Sequence, residues 1–279
     1  MLERLTKRSA QIARWAAMSS ALLVLAACSQ DEGGTVDGIH LVDKNALTVC
    51  THLPYKPFQF SNAEGEVVGF DVDILKLLAD DLGVEEKVVS MDWNQITSAA
   101  VFAANKCDVA MGGATITSKR AEAVLFSDPY FNSTQALLVK TGSNITGLAD
   151  LEGKRLGIQA DTTGALYAEK HAEEYGYTTV VFDDLALETT AVSAGQVVAS
   201  IGDNGPLYQF AQDNPGTEIA AEFDTGEYYG FIARKDDDNA AKLVARLNDQ
   251  IAQAKENGEY DRIFEKWFGH LPGQVNQSE

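Results

Sequence analysis

The sequence predicts an α/β protein of two lobes, each a mostly parallel sheet with helices on both faces, with a cleft between them. Between residues 47 and 113, short apolar runs alternate with segments of helical spacing, which is typical of a parallel sheet. The alternation begins again after residue 131. Once an N-terminal leader is removed, about 235 residues remain, enough for two domains of ordinary size.

Residues 1–27 are predicted to be a signal peptide outside the fold. Basic residues precede an apolar stretch, Ala16 to Ala27, that is too short to span a bilayer. The stretch leads into LAAC, which resembles a lipobox, so Cys28 is the expected lipidation site. An ordinary secretory signal with a chance cysteine is the alternative. Residues 28–44 are mostly polar and are expected to form a flexible tether.

The charge of the chain argues against nucleic acid as a partner. The sequence has 22 basic and 41 acidic residues and a formal net charge of −19. The predicted leader is basic, so the mature chain is more acidic still. An acidic surface favours solubility and repels a phosphate backbone.

Two cysteines, Cys50 and Cys107, remain in the predicted fold. They form no CxxC motif and have no histidine cluster near them, so neither a metal site nor a cofactor is expected. A disulfide between them is one alternative in an oxidising compartment. Buried free thiols are favoured, because the two residues are expected at different heights on neighbouring parallel strands.

The first lobe is predicted to follow a βαβαβ order. LTVCTH (47–52) is a strand, and after the PYKPF break a helix covers 72–82, with apolar residues at helical spacing. Asp71 stands at the predicted N-cap and Gly83 ends the helix. Phe58 is expected in the core. EKVVSM, WNQITSAAVFAANK and CDVAMGG supply a second strand, a second helix and a third strand.

The second lobe is predicted from the pattern that restarts after residue 131. Strands are expected in QALLVK, in LADLEGKRLGIQ, and at TTVVFD and VVASIGD, with helices at TTGALYAEKHAEEYG and LALETTAVSAGQ. YYGFIARK returns as a strand, and helices at roughly 236–257 and 258–268 close the chain. The lobes are therefore predicted to span 45–132 with 228–272, and 133–227.

Three segments in this order resemble the extracellular solute-binding proteins of the polar amino-acid class, which feed ABC importers. They are GFDVDILKLLADDL (69–82), ATITSKRAEAVLFSDPYF (114–131) and NGEYDRIFEKWFG (257–269). The resemblance covers about residues 45–270. It implies a periplasmic-binding-protein-like fold whose lobes close on a ligand about a two-strand hinge. It also implies binding rather than catalysis and an ABC permease as partner. Together with the predicted lipidation of Cys28, a monomer held outside the cell membrane by lipid is expected.

MGGATITSKR (111–120) ends a strand where open parallel sheets bind ligands. Thr117 is expected to cap the following helix. Backbone N–H groups at the glycines, a helix N-terminus and a guanidinium group can together bind a carboxylate. The resemblance assigns the ligand's α-carboxylate to Arg120, assisted by Gly113 and Thr115.

The second lobe is expected to supply further binding groups for the same ligand. Thr162 and Thr163 follow a strand end and are expected to donate to the same carboxylate, although plain helix capping is also compatible with their position. Asp203 ends another strand and occupies the family's position for the α-ammonium group. A zwitterion bridging Arg120 and Asp203 favours the closed form, since it binds that form better.

The resemblance places two aromatic side chains, Tyr55 and Trp93, over the aliphatic part of the ligand. His52 stands where binders of basic amino acids carry an aspartate, which argues against lysine and arginine as ligands. Gln159 stands where some glutamine binders carry a lysine. Glutamine is therefore favoured, while glutamate, aspartate and cystine stay open.

Three other functions are weighed against amino-acid delivery. A sensor component could present its ligand to a membrane receptor. A dehydratase-like enzyme on the same fold needs a general acid beside the carboxylate site, whereas His171 is predicted on a solvated helix face. A quaternary-amine binder needs an aromatic cage, and the pairing of Arg120 with Asp203 favours an amino acid. No enzymatic activity is expected.

Overall fold

The computed structural model describes residues 33–273. The predicted signal peptide and Cys28 lie outside the described residues. Within residues 33–273, no helix has the length and apolar character needed to cross a membrane.

The described chain alternates strands with helices. The strands are β1 Gly34–Val36, β2 Ile39–Leu41, β3 Ala46–Thr51, β4 Phe60–Ser61, β5 Val67–Val68, β6 Glu85–Ser90, β7 Val109–Ala110, β8 Val124–Phe126, β9 Phe131–Lys140, β10 Arg155–Gln159, β11 Thr178–Phe182, β12 Ala199–Asp203, β13 Thr217–Tyr229 and β14 Ile232–Arg234. The helices are α1 Phe70–Leu82, α2 Trp93–Thr97, α3 Ala100–Ala103, α4 Ser118–Ala121, α5 Thr163–Tyr175, α6 Leu185–Ala194, α7 Asn204–Asp213, α8 Asp238–Asn257 and α9 Glu259–Phe268, with a 3-10 turn at Leu148–Leu151.

The first lobe is built on a five-stranded sheet of order β6-β3-β7-β14-β8. The strands β6, β3 and β7 are parallel, and β14 runs antiparallel to both β7 and β8. One face packs on α1, α8 and α9 around the buried rings of Phe58 and Phe70, so Phe58 lies in the core as predicted. The other face packs on α2 and α3 through Ile96 and Phe102.

The second lobe has a sheet of order β11-β10-β12-β9-β13. Its first three strands are parallel, and β9 and β13 pair antiparallel beside them. Residues of α5 and of the 3-10 turn cover one face, and residues of α6 and α7 cover the other. The predicted α/β architecture of two sheets, each with helices on both faces, is confirmed.

Two long strands, β9 and β13, carry the chain between the lobes. Phe131 pairs with Tyr229, and their stacked rings lie 5.5 Å apart. Both rings pack in the core of the first lobe, whereas later residues of β9 and earlier residues of β13 belong to the second sheet. The lobe boundaries predicted at residues 132 and 228 fall within these two strands.

The expectation of a flexible tether is wrong for residues 34–41, which form the β1–β2 hairpin. Ile39 and Leu41 point to one face of the strand and pack into the core of the first lobe. His40 and Asn239 exchange two hydrogen bonds of 2.6 and 2.8 Å. The alternation of apolar and polar residues in IHL is a strand signal that the polar composition of the segment obscures.

The preference for free thiols is also wrong, because Cys50 and Cys107 form a disulfide. Cys107 lies before β7 rather than in it, so the strand register does not set its height. The predicted helix over 93–106 is divided into α2 and α3 at Ala99, whose φ is +64°. The chain that follows α3 brings Cys107 to within 5.7 Å of Cys50, measured between Cα atoms.

Candidate functional site

One cavity between the lobes collects all ten residues that the sequence predicts for ligand binding. Its wall comprises His52, Tyr55, Gln59, Trp93, Gly112, Gly113, Thr115, Arg120, Gln159, Thr162, Thr163 and Asp203. The cavity volume is about 30 Å³, which is room for water but not for an amino acid. An amino acid therefore needs the cavity to widen before it enters.

Arg120 lies in the short helix α4, which begins as predicted at the N-cap Thr117. The Thr117 hydroxyl accepts a hydrogen bond from the Arg120 N–H at 3.1 Å. The guanidinium group donates to the carbonyl of Thr115 at 3.0 Å and to that of Asp161, in the second lobe, at 2.8 Å. It also lies 5.3 Å from the centroid of the Trp93 ring. Burial lowers the pKa of Arg120, but an arginine stays charged at neutral pH.

The two glycines of MGGATITSKR make room for aromatic rings. A Cβ at Gly112 would lie 2.7 Å from the Trp93 ring, and one at Gly113 would lie 2.7 Å from the Tyr55 ring. Gly113 also has a φ of +56°, which glycine adopts without strain. Its N–H donates to the Asp71 carboxylate at 3.2 Å, so the predicted use of that N–H for a ligand carboxylate is not supported.

Asp71 supports this glycine segment from behind. The residue is fully buried and accepts a hydrogen bond from the Tyr130 hydroxyl at 2.7 Å. Burial raises the pKa of Asp71 to about 7, against the effect of its hydrogen bonds. The predicted N-cap role is wrong, because the helix α1 begins two residues earlier than predicted, at Phe70, with Gly69 as its N-cap.

Asp203 ends β12 and contributes a carboxylate to the cavity wall. It accepts from the hydroxyls of Tyr55 and Tyr229, each at 2.5 Å, and from the side-chain amide of Gln135 at 2.6 Å. Burial raises the pKa of Asp203, and the nearby charge of Glu227 raises it further. Tyr55 thus connects the first lobe to Asp203 in the second, in addition to offering its ring to the cavity.

The two threonines of the second lobe have different roles in the structure. Thr162 caps α5: its hydroxyl accepts from the Ala165 N–H at 3.1 Å and donates to the Gln159 carbonyl at 2.9 Å. The hydroxyl of Thr163 is directed instead at a carboxylate oxygen of Glu227, 2.7 Å away. The capping alternative therefore holds for Thr162.

Neutral polar side chains of the cavity wall are left without partners. Gln59 is fully buried, and neither atom of its side-chain amide has a hydrogen-bond partner among residues 33–273. His52 contacts the Met91 carbonyl through Nδ1 at 3.1 Å, whereas its Nε2 has no partner in the same part of the chain. Gln159 makes only a long contact of 3.5 Å to a backbone carbonyl.

Sequence reasoning missed three residues at this site: Gln59, Gln135 and Glu227. Gln59 follows the PYKPF break, which predicts only a loop. Gln135 and Glu227 lie in the strands β9 and β13 that cross between the lobes. A polar residue in a strand is ordinarily assigned to the solvent face. The pairing of these two strands instead brings both side chains against the wall residues Asp203, Thr115 and Thr163.

Comparison with known proteins establishes the class of the molecule. Residues 47–270 match the model for bacterial extracellular solute-binding proteins, family 3. The chain belongs to this family and is a solute-binding protein rather than an enzyme.

The similar proteins are named for different amino acids. A probable histidine-binding protein of Neisseria gonorrhoeae is 28% identical, with 93% of this chain and 96% of that protein covered. A glutamine-binding protein of an ABC transporter of Bacillus subtilis is 31% identical, with 91% and 95% covered. A solved ancestral arginine-binding protein bound to glutamine is 36% identical, with a TM-score of 0.75 and 81% and 99% covered.

Proposed function

We propose that the protein binds a polar α-amino acid outside the cytoplasmic membrane and delivers it to the permease of an ABC transporter. One observation carries the proposal: Arg120 of the first lobe and Asp203 of the second line the same cavity. A carboxylate and an ammonium group on one carbon require an opposite charge for each. Relatives named as amino-acid-binding proteins of ABC transporters support the same assignment.

Closure of the lobes is the proposed step that retains the amino acid. Arg120 and Trp93 of the first lobe both donate to the carbonyl of Asp161 in the second, at 2.8 and 3.1 Å. Tyr55 donates across the same cleft to Asp203. An amino acid that bridges Arg120 and Asp203 stabilises a closed arrangement with a cavity wide enough to hold it, and release to the permease requires the lobes to separate again.

Glutamine is the favoured ligand, and glutamate, aspartate and cystine rank behind it. The buried amide of Gln59 has two donor hydrogens and an acceptor oxygen without partners among residues 33–273, which matches the primary amide of a glutamine side chain. The imidazole of His52 and the amide of Gln159 line the same cavity. A site with unpaired buried hydrogen-bonding groups discriminates strongly against ligands that cannot pair with them.

Titration calorimetry with the twenty amino acids and cystine tests the proposal, with Arg120→Ala as the diagnostic variant. We expect Arg120→Ala to lose at least about 100-fold in affinity, because the α-carboxylate loses a charged two-donor partner. Lys119→Ala is the matched control, since it removes the same charge from the neighbouring exposed residue of α4. Unchanged affinity in Arg120→Ala would disprove the carboxylate assignment.

The proposed location rests on lipidation of Cys28, with the folded protein acting as a monomer. Replacing Cys28 with serine is expected to move the protein from the membrane fraction to the soluble extracytoplasmic fraction. Retention in the membrane fraction would contradict the lipid anchor. Transport of labelled amino acid into vesicles that contain the permease separates delivery from the alternative role of a ligand-presenting sensor component.

A further inference from the structure

We infer that Glu227 is a ligand-binding residue: its carboxylate joins Asp203 in holding the α-ammonium group and disfavours amino acids with acidic side chains. This inference rests on the proposed amino-acid binding function. It adds a second negative charge to a site for which the sequence predicts only one.

Glu227 lies in one of the two strands that connect the lobes. It is in β13, paired with Ser133 of β9, two residues before the ring of Tyr229 enters the core of the first lobe. Its carboxylate accepts hydrogen bonds from Thr115 of the first lobe at 2.9 Å and from Thr163 of the second at 2.7 Å. Both threonines line the cavity, so the carboxylate is held at the edge of the site by residues of both lobes.

Gln135 joins the two carboxylates. Its amide nitrogen lies 2.6 Å from an oxygen of Asp203 and 3.2 Å from each oxygen of Glu227. Gln135 is fully buried, and its amide oxygen has no partner within the described chain. A neutral amide separates the carboxylates without cancelling either charge, and Glu227 accordingly raises the pKa of Asp203.

An ammonium group is the ligand feature that fits this arrangement. It presents three N–H donors, and Asp203 and Glu227 offer it carboxylate oxygens that are held together through the Gln135 amide nitrogen. Its positive charge relieves the repulsion between the two carboxylates. Glu227 accepts hydrogen bonds from Thr115 of the first lobe and Thr163 of the second. An ammonium group bound to its carboxylate therefore also favours the closed arrangement.

The charge balance predicts which side chains are accepted. Two carboxylates face one guanidinium group at this site, so a zwitterion leaves an excess of one negative charge. An acidic side chain adds a second negative charge in a partly desolvated cavity, where repulsion is stronger than in water. A neutral side chain adds none, and a cationic one offsets the excess. We therefore expect glutamine to bind at least about tenfold more tightly than glutamate.

Titration calorimetry with L-glutamine, L-arginine, L-histidine and L-glutamate tests the inference on wild type and Glu227→Gln. The variant keeps the shape of the side chain and removes its charge. We expect its affinity for the preferred amino acid to fall about 10- to 100-fold and its discrimination against glutamate to narrow about tenfold. Glu218→Gln is the matched control, because Glu218 is an exposed residue of the same strand; its affinities are expected to stay within about twofold of wild type.

The outcomes separate the inference from the proposed function. If wild type binds no amino acid, the proposed function fails. If wild type binds one and Glu227→Gln binds it equally well, or if Glu218→Gln shows the same loss, the inference alone fails. A wild type that prefers glutamate also overturns it. Should circular dichroism show that Glu227→Gln is unfolded, Glu227→Asp retains the charge and is expected to keep the discrimination against glutamate; loss of that discrimination overturns the inference.

Discussion

The charged and the neutral groups of the cavity wall differ in how the protein satisfies them. Asp203 accepts three hydrogen bonds from protein side chains, and Arg120 donates to two backbone carbonyls. Gln59, by contrast, is fully buried with neither atom of its amide paired among the described residues. The charged side chains of the wall are therefore hydrogen-bonded to other protein groups, whereas the amide of Gln59 has no such partner within the described chain.

The difference follows from the cost of burying each kind of group. An unpaired buried charge is too unfavourable to retain, so the fold must supply partners before any ligand arrives. An unpaired amide costs only about 1–3 kcal/mol, which a folded domain tolerates. The proposed recognition of the common part of an amino acid therefore uses groups that the fold already pairs. The proposed selectivity for the side chain uses the hydrogen-bonding groups of Gln59 and His52 that have no partner among the described residues.

Replacing Asp203 with alanine is expected to have the largest effect. The substitution removes the proposed partner of the α-ammonium group and the acceptor that Tyr55, Tyr229 and Gln135 share. We expect affinity for amino acids to fall at least about 100-fold and the melting temperature to fall as well. Calorimetry and thermal unfolding measure the two effects.

The control is Asp213→Ala, which removes a carboxylate from the same lobe. Asp213 forms an ion pair of 3.2 Å with Lys56 across the lobes, with both side chains about half exposed. Such exposed pairs contribute little, so affinity should change less than about threefold. Equal losses of affinity in Asp203→Ala and Asp213→Ala would show that the loss comes from the removal of any negative charge between the lobes and not from the ammonium site.

Replacing Gln59 with leucine is expected to act in opposite directions on binding and stability. Removing a buried amide without partners should raise the free energy of unfolding of the unliganded protein by about 1–3 kcal/mol. Loss of its donors and acceptor should weaken binding of the preferred polar amino acid about 10- to 100-fold. Denaturant titration and calorimetry measure these changes. A variant that loses stability and keeps its affinity would show that Gln59 is an ordinary core residue.

Replacing Glu188 is expected to have the smallest effect. Glu188 does not line the cavity, so it tests a buried polar side chain with no proposed role in binding. It is fully buried in α6, with neither carboxylate oxygen paired within residues 33–273, and burial raises its pKa well above the ordinary value. The folded protein therefore binds a proton that the unfolded chain releases above about pH 4.5, so stability falls as the pH rises beyond that value.

Glu188→Gln is expected to remove that pH dependence. Its stability should match that of wild type near pH 4 and exceed it by about 2 kcal/mol at pH 8, with amino-acid affinity unchanged. Thermal unfolding at both pH values gives the comparison. A constant difference between the two proteins across this range would mean that Glu188 does not titrate as its burial requires.

The sequence predicts most of the strands and helices and most of the residues that line the cavity, because these depend on signals within short segments of the chain. Arg120, Thr163 and Asp203 follow strand ends or begin helices, and such positions are readable from spacing and from the family signatures. Gln135 and Glu227 are not readable in this way, since they lie within strands whose pairing decides which face they share. The sequence offers the Cys50–Cys107 disulfide only as an alternative for a different reason, because its geometry depends on the non-repetitive connection before β7.

The measurement that tests the central claim most directly is titration of the protein with the full amino-acid panel, followed by two analogues of the ligand that binds best. One analogue lacks the α-ammonium group and the other lacks the α-carboxylate. The account predicts that one or two polar amino acids bind and that both analogues bind at least about 100-fold more weakly. Absence of binding across the panel, or analogues that bind as well as the amino acid, would contradict a clamp built from Arg120 and Asp203.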